Sequence, residues 1–285
     1  MQESGHGMIV YRSMDRQTLD AAYNNSAAVA DSDQYLADWL RRSEALRVRM
    51  PDHLNLVYGD APRARLDFFT ATRSDAPTLL FFHGGYWQRN AKEGFSFVAE
   101  GPLAQGFNVA VAGYTLAPEA TMDGIVREAR ISLHWLHQHL STLGGDPARL
   151  YVGGWSAGGH LTAMLMDEPL VAGGLAISSL FDLEPIRLCY LNDKLGLDAE
   201  QARRNSPLLN LPASAAKLII AYGAAELPEL QRQSREFGAA WTAHGLPGEM
   251  IEVADCHHYA VLEQLAQSDG LLARALTVAV GVDPG

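Results

Sequence analysis

The sequence predicts an α/β protein built on a mostly parallel sheet with helices on both faces. Three observations point there. Continuous apolar runs such as Pro77–Phe82 and Gly174–Ile177 mark strands buried on both sides. Long helical patterns alternate with those strands along the chain. At Tyr151–His160 a strand, a glycine-flanked turn and a helix-forming run follow one another directly.

In chain order, residues 1–12 are expected to be loosely attached and 13–50 to form a helical arm. The arm reads as a short helix from Asp15 to Asn24, a polar break at Asn24-Asn25-Ser26 and a longer helix from Asp33 to about Arg49. In the longer helix Tyr35, Leu36, Trp39, Leu40 and Leu46 fall near one face, and Pro51 stops it. Leu54–Tyr58 and Arg65–Thr70 flank the turn Gly59-Asp60-Ala61-Pro62 and read as an antiparallel hairpin. After the buried strand Pro77–Phe82, a helix is expected over Lys92–Gln105 and a strand over Asn108–Ala112. Ile125, Ala129, Leu133, Leu136 and Leu140 set a long amphipathic helix that ends at Gly144-Gly145. Strands follow at Arg149–Val152, Gly174–Ser178, Lys217–Tyr222 and Glu249–Val253, with helices at Leu161–Met166, Pro228–Ala243, Tyr259–Gln267 and Leu271–Val280. Residues 182–212 show no alternation and read as a cap-like excursion above the strand ends. With no internal repeat or low-complexity linker, residues 1–285 are expected to form one domain.

Composition narrows the function. The 22 Lys and Arg against 33 Asp and Glu give a net charge of −11, which repels phosphate backbones and argues against nucleic acid as a partner. No run is long and apolar enough for a membrane span, and the N-terminus lacks the pattern of a signal peptide. The two cysteines, Cys189 and Cys256, form no disulfide or zinc motif, so a cytoplasmic location is expected. His134, His137 and His139 share a helix without i, i+4 metal-ligand spacing, and no glycine-rich stretch matches a nucleotide motif. No metal and no cofactor is therefore expected; the partner is a small-molecule substrate, and a homodimer is left open.

The chemistry starts at Ser156. Gly154, Ser156 and Gly158 complete a G-x-S-x-G pattern between a strand and a helix, the nucleophile elbow of an α/β-hydrolase fold. A serine hydroxyl needs an adjacent base, oriented in turn by an acid. In this fold they follow in the order Ser, acid, His. Glu226, after the strand Lys217–Tyr222, is the expected acid, with Asp182 as its rival. His258, after the last strand, is the expected base, with His257 as its rival. Glu229 reads as a first-turn carboxylate of the next helix. For the oxyanion hole the backbone N–H groups of Gly84, Gly85 and Ala157 are expected. Tyr86, Trp87 and Trp155 are candidates to wall a substrate, and Ser178 and Asn192 to hydrogen-bond it. His83 is expected to order the oxyanion loop, and His160 to lie buried behind the elbow.

His83-Gly84-Gly85-Tyr86-Trp87 followed by Gly154-Trp155-Ser156-Ala157-Gly158-Gly159-His160 resembles the kynurenine formamidase (arylformamidase) group, related to the hormone-sensitive-lipase-like esterases. Leu19–Asn25, Pro228–Ser234 and His258-Tyr259 are similar to further segments of these enzymes, so the resemblance spans about residues 14–275. It departs at Glu226, where many relatives carry Asp, and at His257, where Asp or Asn is common. The resemblance implies hydrolysis of N-formyl-L-kynurenine to kynurenine and formate in tryptophan breakdown, through a Ser156-His258-Glu226 triad. The alternatives are a short-chain carboxylesterase, an amidase for another ring-cleavage product, or a non-catalytic binding protein of the same fold.

Overall fold

The computed structural model describes residues 8–74 and 76–281. The N-terminal arm opens with a small antiparallel pair, β1 (Ile9–Tyr11) and β2 (Met14–Asp15). Helices α1 (Arg16–Ala22), α2 (Asn25–Ala28) and α3 (Ser32–Arg49) complete it. Of the segment expected to be loose, residues 1–7 lie outside the described residues, and 9–11 depart from the expectation. The reason is polar: Tyr11 donates to Asp182 at 2.8 Å and Arg12 pairs with Glu236 at 3.0 Å, so the strand is tied to the body.

The main sheet begins with β3 (Leu56–Val57), β4 (Arg65–Phe69) and β5 (Ala76–Phe82). Helix α4 (Glu100–Ala104), strand β6 (Asn108–Ala112), helix α5 (Met122–His139), strand β7 (Gly145–Trp155), helix α6 (Ala157–Met164) and strand β8 (Gly173–Ile177) follow. The excursion contains three short helices, α7 (Glu184–Leu188), α8 (Asn192–Leu195) and α9 (Ala199–Arg204). Strand β9 (Leu218–Gly223), helix α10 (Pro228–Ala243), strand β10 (Gly248–Val253) and helices α11 (Ala260–Ala266) and α12 (Leu271–Val280) close the fold. The eight strands run in the order β10-β9-β8-β7-β5-β6-β4-β3. From β10 to β6 they are parallel, and β4 and β3 join antiparallel.

The apolar runs are explained by two cores, one on each face of this sheet. In β5, Leu80 and Phe82 enter one core while Leu79 and Phe81 enter the other. Ala110 and Ala112 of β6 likewise face away from Val109 and Val111, as the two-residue period of a strand requires. Helices α5, α6 and α10 supply the first core, through residues such as Leu133, Leu161 and Phe237. Trp39 of α3, Leu262 of α11 and Leu272 of α12 supply the second.

One expected helix is broken. Lys92–Gln105 forms two single 3-10 turns, Lys92–Gly94 and Ser96–Ala99, before α4. Lys92 is pulled inward to the buried carboxylate of Asp67 at 2.8 Å and to Asn55 at 2.7 Å. Asp67 also accepts the Asn55 N–H at 2.8 Å and pairs with Arg47. This satisfied cluster ties α3 to the sheet edge, whereas an unpaired buried carboxylate there would be costly.

Candidate active site

Strand β7 delivers Ser156 at its C-terminal end, with β5, β8, β9 and β10 presenting their ends alongside it. Ser156 has φ 58° and ψ −118°, a conformation that costs on the order of 1–3 kcal/mol and is held by its surroundings. Its N–H donates to Ile177 at 2.8 Å, and its carbonyl accepts the His160 N–H at 3.1 Å. The turn closes only because Gly158 has no side chain, since a Cβ there would collide with the carbonyl of Phe82. Ala157 is the first residue of α6, so its N–H is one of the donors that a helix leaves without an internal partner.

The loop after β5 faces this turn. Gly85 adopts φ +121°, and Tyr86 and Trp87 follow at φ 51° and 57°. Such a run is uncommon outside glycine, and several bonds hold it. The N–H groups of Gln88 and Arg89 reach the Gly85 carbonyl at 3.0 and 3.2 Å, and Gln88 Nε2 donates to Leu191 at 2.7 Å. The Gly84 carbonyl accepts from His83 Nδ1 at 2.8 Å and from Asn90 Nδ2 at 3.1 Å. A trans peptide points the next N–H the opposite way, so these two bonds fix the direction of the Gly85 N–H. Asn90 is a site residue that sequence reasoning missed.

His258, which lines the same cavity as Ser156, meets Glu226. His258 Nδ1 lies 3.6 Å from Glu226 Oε2, within ion-pair range but longer than a hydrogen bond. Both atoms are buried and otherwise without a hydrogen-bond partner, so each is the other's natural complement. Catalytic hydrogen bonds are often long without substrate and tighten when it binds. The other oxygen, Oε1, accepts from Gly223 N–H at 2.9 Å and from the hydroxyl of Ser178. Trp155 braces the histidine twice: its ring lies 4.8 Å from the imidazole, and its Nε1–H donates to the His258 carbonyl at 2.8 Å.

The rival positions are engaged elsewhere. Asp182 accepts from Tyr11 and from the N–H of Glu184 at 3.0 Å, which ties it to the arm and to the start of α7. His257 Nδ1 accepts the N–H groups of Tyr259 and Ala260, both at 3.2 Å, and its ring meets Tyr35 edge-on. Glu229 is held by Arg232 and by the Tyr23 hydroxyl. His134 reaches Glu168 at 3.2 Å and His139 reaches the Trp135 carbonyl at 2.7 Å. Among the described residues no group of His, Cys, Asp and Glu is placed to hold a metal. Within the same limits, no helix is long and apolar enough to cross a membrane.

A cavity of about 40 Å³ opens onto Ser156 and His258. Gly85, Tyr86, Trp155 and Tyr259 line it from the hydrolase body, and Asn25, Ser26 and Leu36 line it from the arm. Three expectations for substrate contacts are corrected here. Trp87 is fully buried and packs edge-on against His160, outside the cavity lining. Ser178 is engaged by Glu226, and both ends of the Asn192 amide are taken by the backbone of Leu197. The 182–212 excursion supplies no lining residue, so the arm alone contributes the cap side of this cavity.

The two histidines behind the site are fully buried. His83 lies stacked between Tyr114 and Phe95, and His160 is bonded through Nε2 to the Asn205 carbonyl at 2.8 Å. Burial lowers both from the ordinary value of 6.5 to about 4. The folded state therefore holds them neutral. Their contribution is complete above the unfolded value and is lost as pH falls from 6.5 towards 4. Denaturant titrations should show folding stability dropping between pH 7 and pH 5, by on the order of 2 kcal/mol per histidine. Equal stability at both pH values would contradict the neutral assignment.

Comparison with known proteins identifies the relatives of this chain. Residues 66–168 match the BD-FAE family model. The chain is 32% identical to the kynurenine formamidase of Danio rerio over 243 residues, covering 80% of this chain and 82% of that protein. The chain belongs to the kynurenine formamidase family. The family's protein from Salmo salar matches at 33% identity over 244 residues, covering 80% and 82% of the two chains. Among solved structures, a Silicibacter sp. TM1040 protein provisionally described as a thioesterase superposes with a TM-score of 0.79 at 29% identity, covering 91% of this chain and 98% of that one. The esterase Est2 of Thermogutta terrifontis, with propionate bound, gives 0.65 at 20% identity, covering 79% and 93%, and shares the fold. As a member of this family, the chain is an α/β-hydrolase enzyme.

Proposed function

We propose that this hydrolase cleaves N-formyl-L-kynurenine to kynurenine and formate, with Ser156 as nucleophile, His258 as general base and acid, and Glu226 as the orienting acid. Because Nδ1 of His258 faces a carboxylate, it carries the proton and leaves the Nε2 lone pair for the serine. Ser156 Oγ attacks the formyl carbon while Nε2 takes its proton. The N–H groups of Gly84, Gly85 and Ala157 stabilise the oxyanion. The C–N bond then breaks, the aryl amine leaves with the proton from His258, and a formyl ester stays on Ser156. Water attacks that ester after giving a proton to His258, and formate departs as the serine regains its hydrogen.

The observation that carries this reading is the 32% identity to the kynurenine formamidase of Danio rerio across 80% of this chain, together with a cavity that opens onto Ser156 and His258. The space beside Ser156 and His258 is about 40 Å³ against the roughly 10–15 Å³ that one water requires, which suits a small formyl group at the reacting centre. Leu36, Tyr86 and Tyr259 in the lining suit an aromatic leaving group. The absence of a disulfide or zinc pattern at Cys189 and Cys256 supports a cytoplasmic setting. The test is kcat/KM for N-formyl-L-kynurenine beside p-nitrophenyl acetate and octanoate. The formamide is expected to be a good substrate, and the octanoate at least about 100-fold poorer than the acetate, since buried overpacking of even a few methylenes costs about 1–3 kcal/mol. Efficient ester cleavage with formylkynurenine untouched would favour the short-chain carboxylesterase instead.

A further inference from the structure

We propose that Arg89 binds the carboxylate of the substrate's amino-acid side chain, which makes the site selective for aryl formamides that carry one. This rests on the function proposed above. Arg89 lies on the rim of the cavity that contains Ser156 and His258. It sits just past the oxyanion loop, anchored through its own N–H to the Gly85 carbonyl at 3.2 Å. Its position relative to the reacting centre is therefore set by the same short segment. Its side chain is exposed and, among the described residues, has no ion pair or hydrogen-bond partner. By contrast Arg130 and Arg232 each pair with two carboxylates and Arg42 with three. Among the described residues no Asp or Glu lines the cavity, so in a chain of net charge −11 this rim is locally cationic.

A planar guanidinium presents paired N–H donors that match a carboxylate, and an unengaged one at a substrate mouth is suited to that ligand. The aryl ring and side chain of formylkynurenine place its carboxylate several bonds from the formyl carbon, as a rim group requires. Asn25 is buried in the lining, and its Oδ1 has no partner. Which end of that amide is free follows from Tyr86, whose hydroxyl donates to the Tyr23 carbonyl at 2.7 Å and so accepts from Asn25 Nδ2 at 2.9 Å. Arg89 is thus the guanidinium that this lining offers to a carboxylate.

The test compares wild type, Arg89→Met and Arg89→Lys on N-formyl-L-kynurenine and on 2-formamidoacetophenone, a neutral aryl formamide without the amino-acid group. Arg89→Met is expected to lower the ratio of the two kcat/KM values by about tenfold or more, mainly by raising KM for formylkynurenine, and Arg89→Lys to restore part of it. An unchanged ratio would overturn the assignment. If the wild-type enzyme cleaves p-nitrophenyl acetate but neither formamide, the proposed function falls. Arg89 is then judged by competitive inhibition of ester cleavage by L-kynurenine. A Ki raised about tenfold or more in Arg89→Met supports the carboxylate contact, and an equal Ki, or no inhibition of wild type, ends it.

Discussion

Ser156→Ala is expected to lower kcat for formylkynurenine by about 10⁶-fold while leaving the fold intact. The two halves of that statement have separate physical grounds. The strained backbone at Ser156 is held by the N–H bond to Ile177, the carbonyl bond from His160 and the close approach of Gly158 to Phe82. None of these uses the hydroxyl, and alanine has the same Cβ. Thermal melts of the variant should therefore match wild type within a few degrees. The hydroxyl is the only atom lost, and without it no acyl-enzyme forms. What persists is the stabilisation that the oxyanion donors give to direct attack by water, typically about 10³–10⁴-fold over solution. Steady-state kinetics on the variant, with a fluorophosphonate label on wild type, check the assignment. A loss under about 100-fold would mean that Ser156 is not the nucleophile.

How much of this site could be read from the sequence depended on how local each signal was. The elbow was legible because strand, glycines, serine and helix are consecutive residues. Glu226 and His258 were legible because the fold places them at the ends of particular late strands, although the linear sequence left Asp182 and His257 as rivals. Only the packing separates them, through Tyr11 on Asp182 and the Tyr259 and Ala260 N–H groups on His257. Trp87 misled because its partner, the His160 ring, is distant in the chain and only the fold brings the two together. Ser178 was expected to hydrogen-bond substrate, yet its partner Glu226 is 48 residues away and shows only in the fold. Asn25 and Arg89 were illegible for the same reason: arm and oxyanion loop meet only in the folded chain. The broken helix after Lys92 was hidden because a buried lysine needs Asp67, a partner that periodicity does not reveal.

Glu226→Gln is expected to cost about 10³–10⁴-fold in kcat with little change in KM, by reversing the proton on His258 rather than by disturbing the fold. The carboxylate has two distinct faces. Oε1 is fixed by two donors, the Gly223 N–H and the Ser178 hydroxyl, while Oε2 faces His258 Nδ1. In the glutamine variant the amide oxygen is drawn to those two donors, because an NH₂ group there would oppose both of them. The NH₂ is left facing the imidazole, and His258 can meet it only by offering an unprotonated Nδ1. The ring then carries its proton on Nε2, where it cannot accept the hydrogen of Ser156. Ser178→Ala separates this effect from simple orientation. It removes one Oε1 donor but leaves a carboxylate opposite Nδ1, so its loss should be far smaller, about tenfold in kcat. A Glu226→Gln enzyme within tenfold of wild type would exclude Glu226 as the orienting acid. A loss of the same size in Ser178→Ala would instead place the effect in the position of the carboxylate and not in its charge.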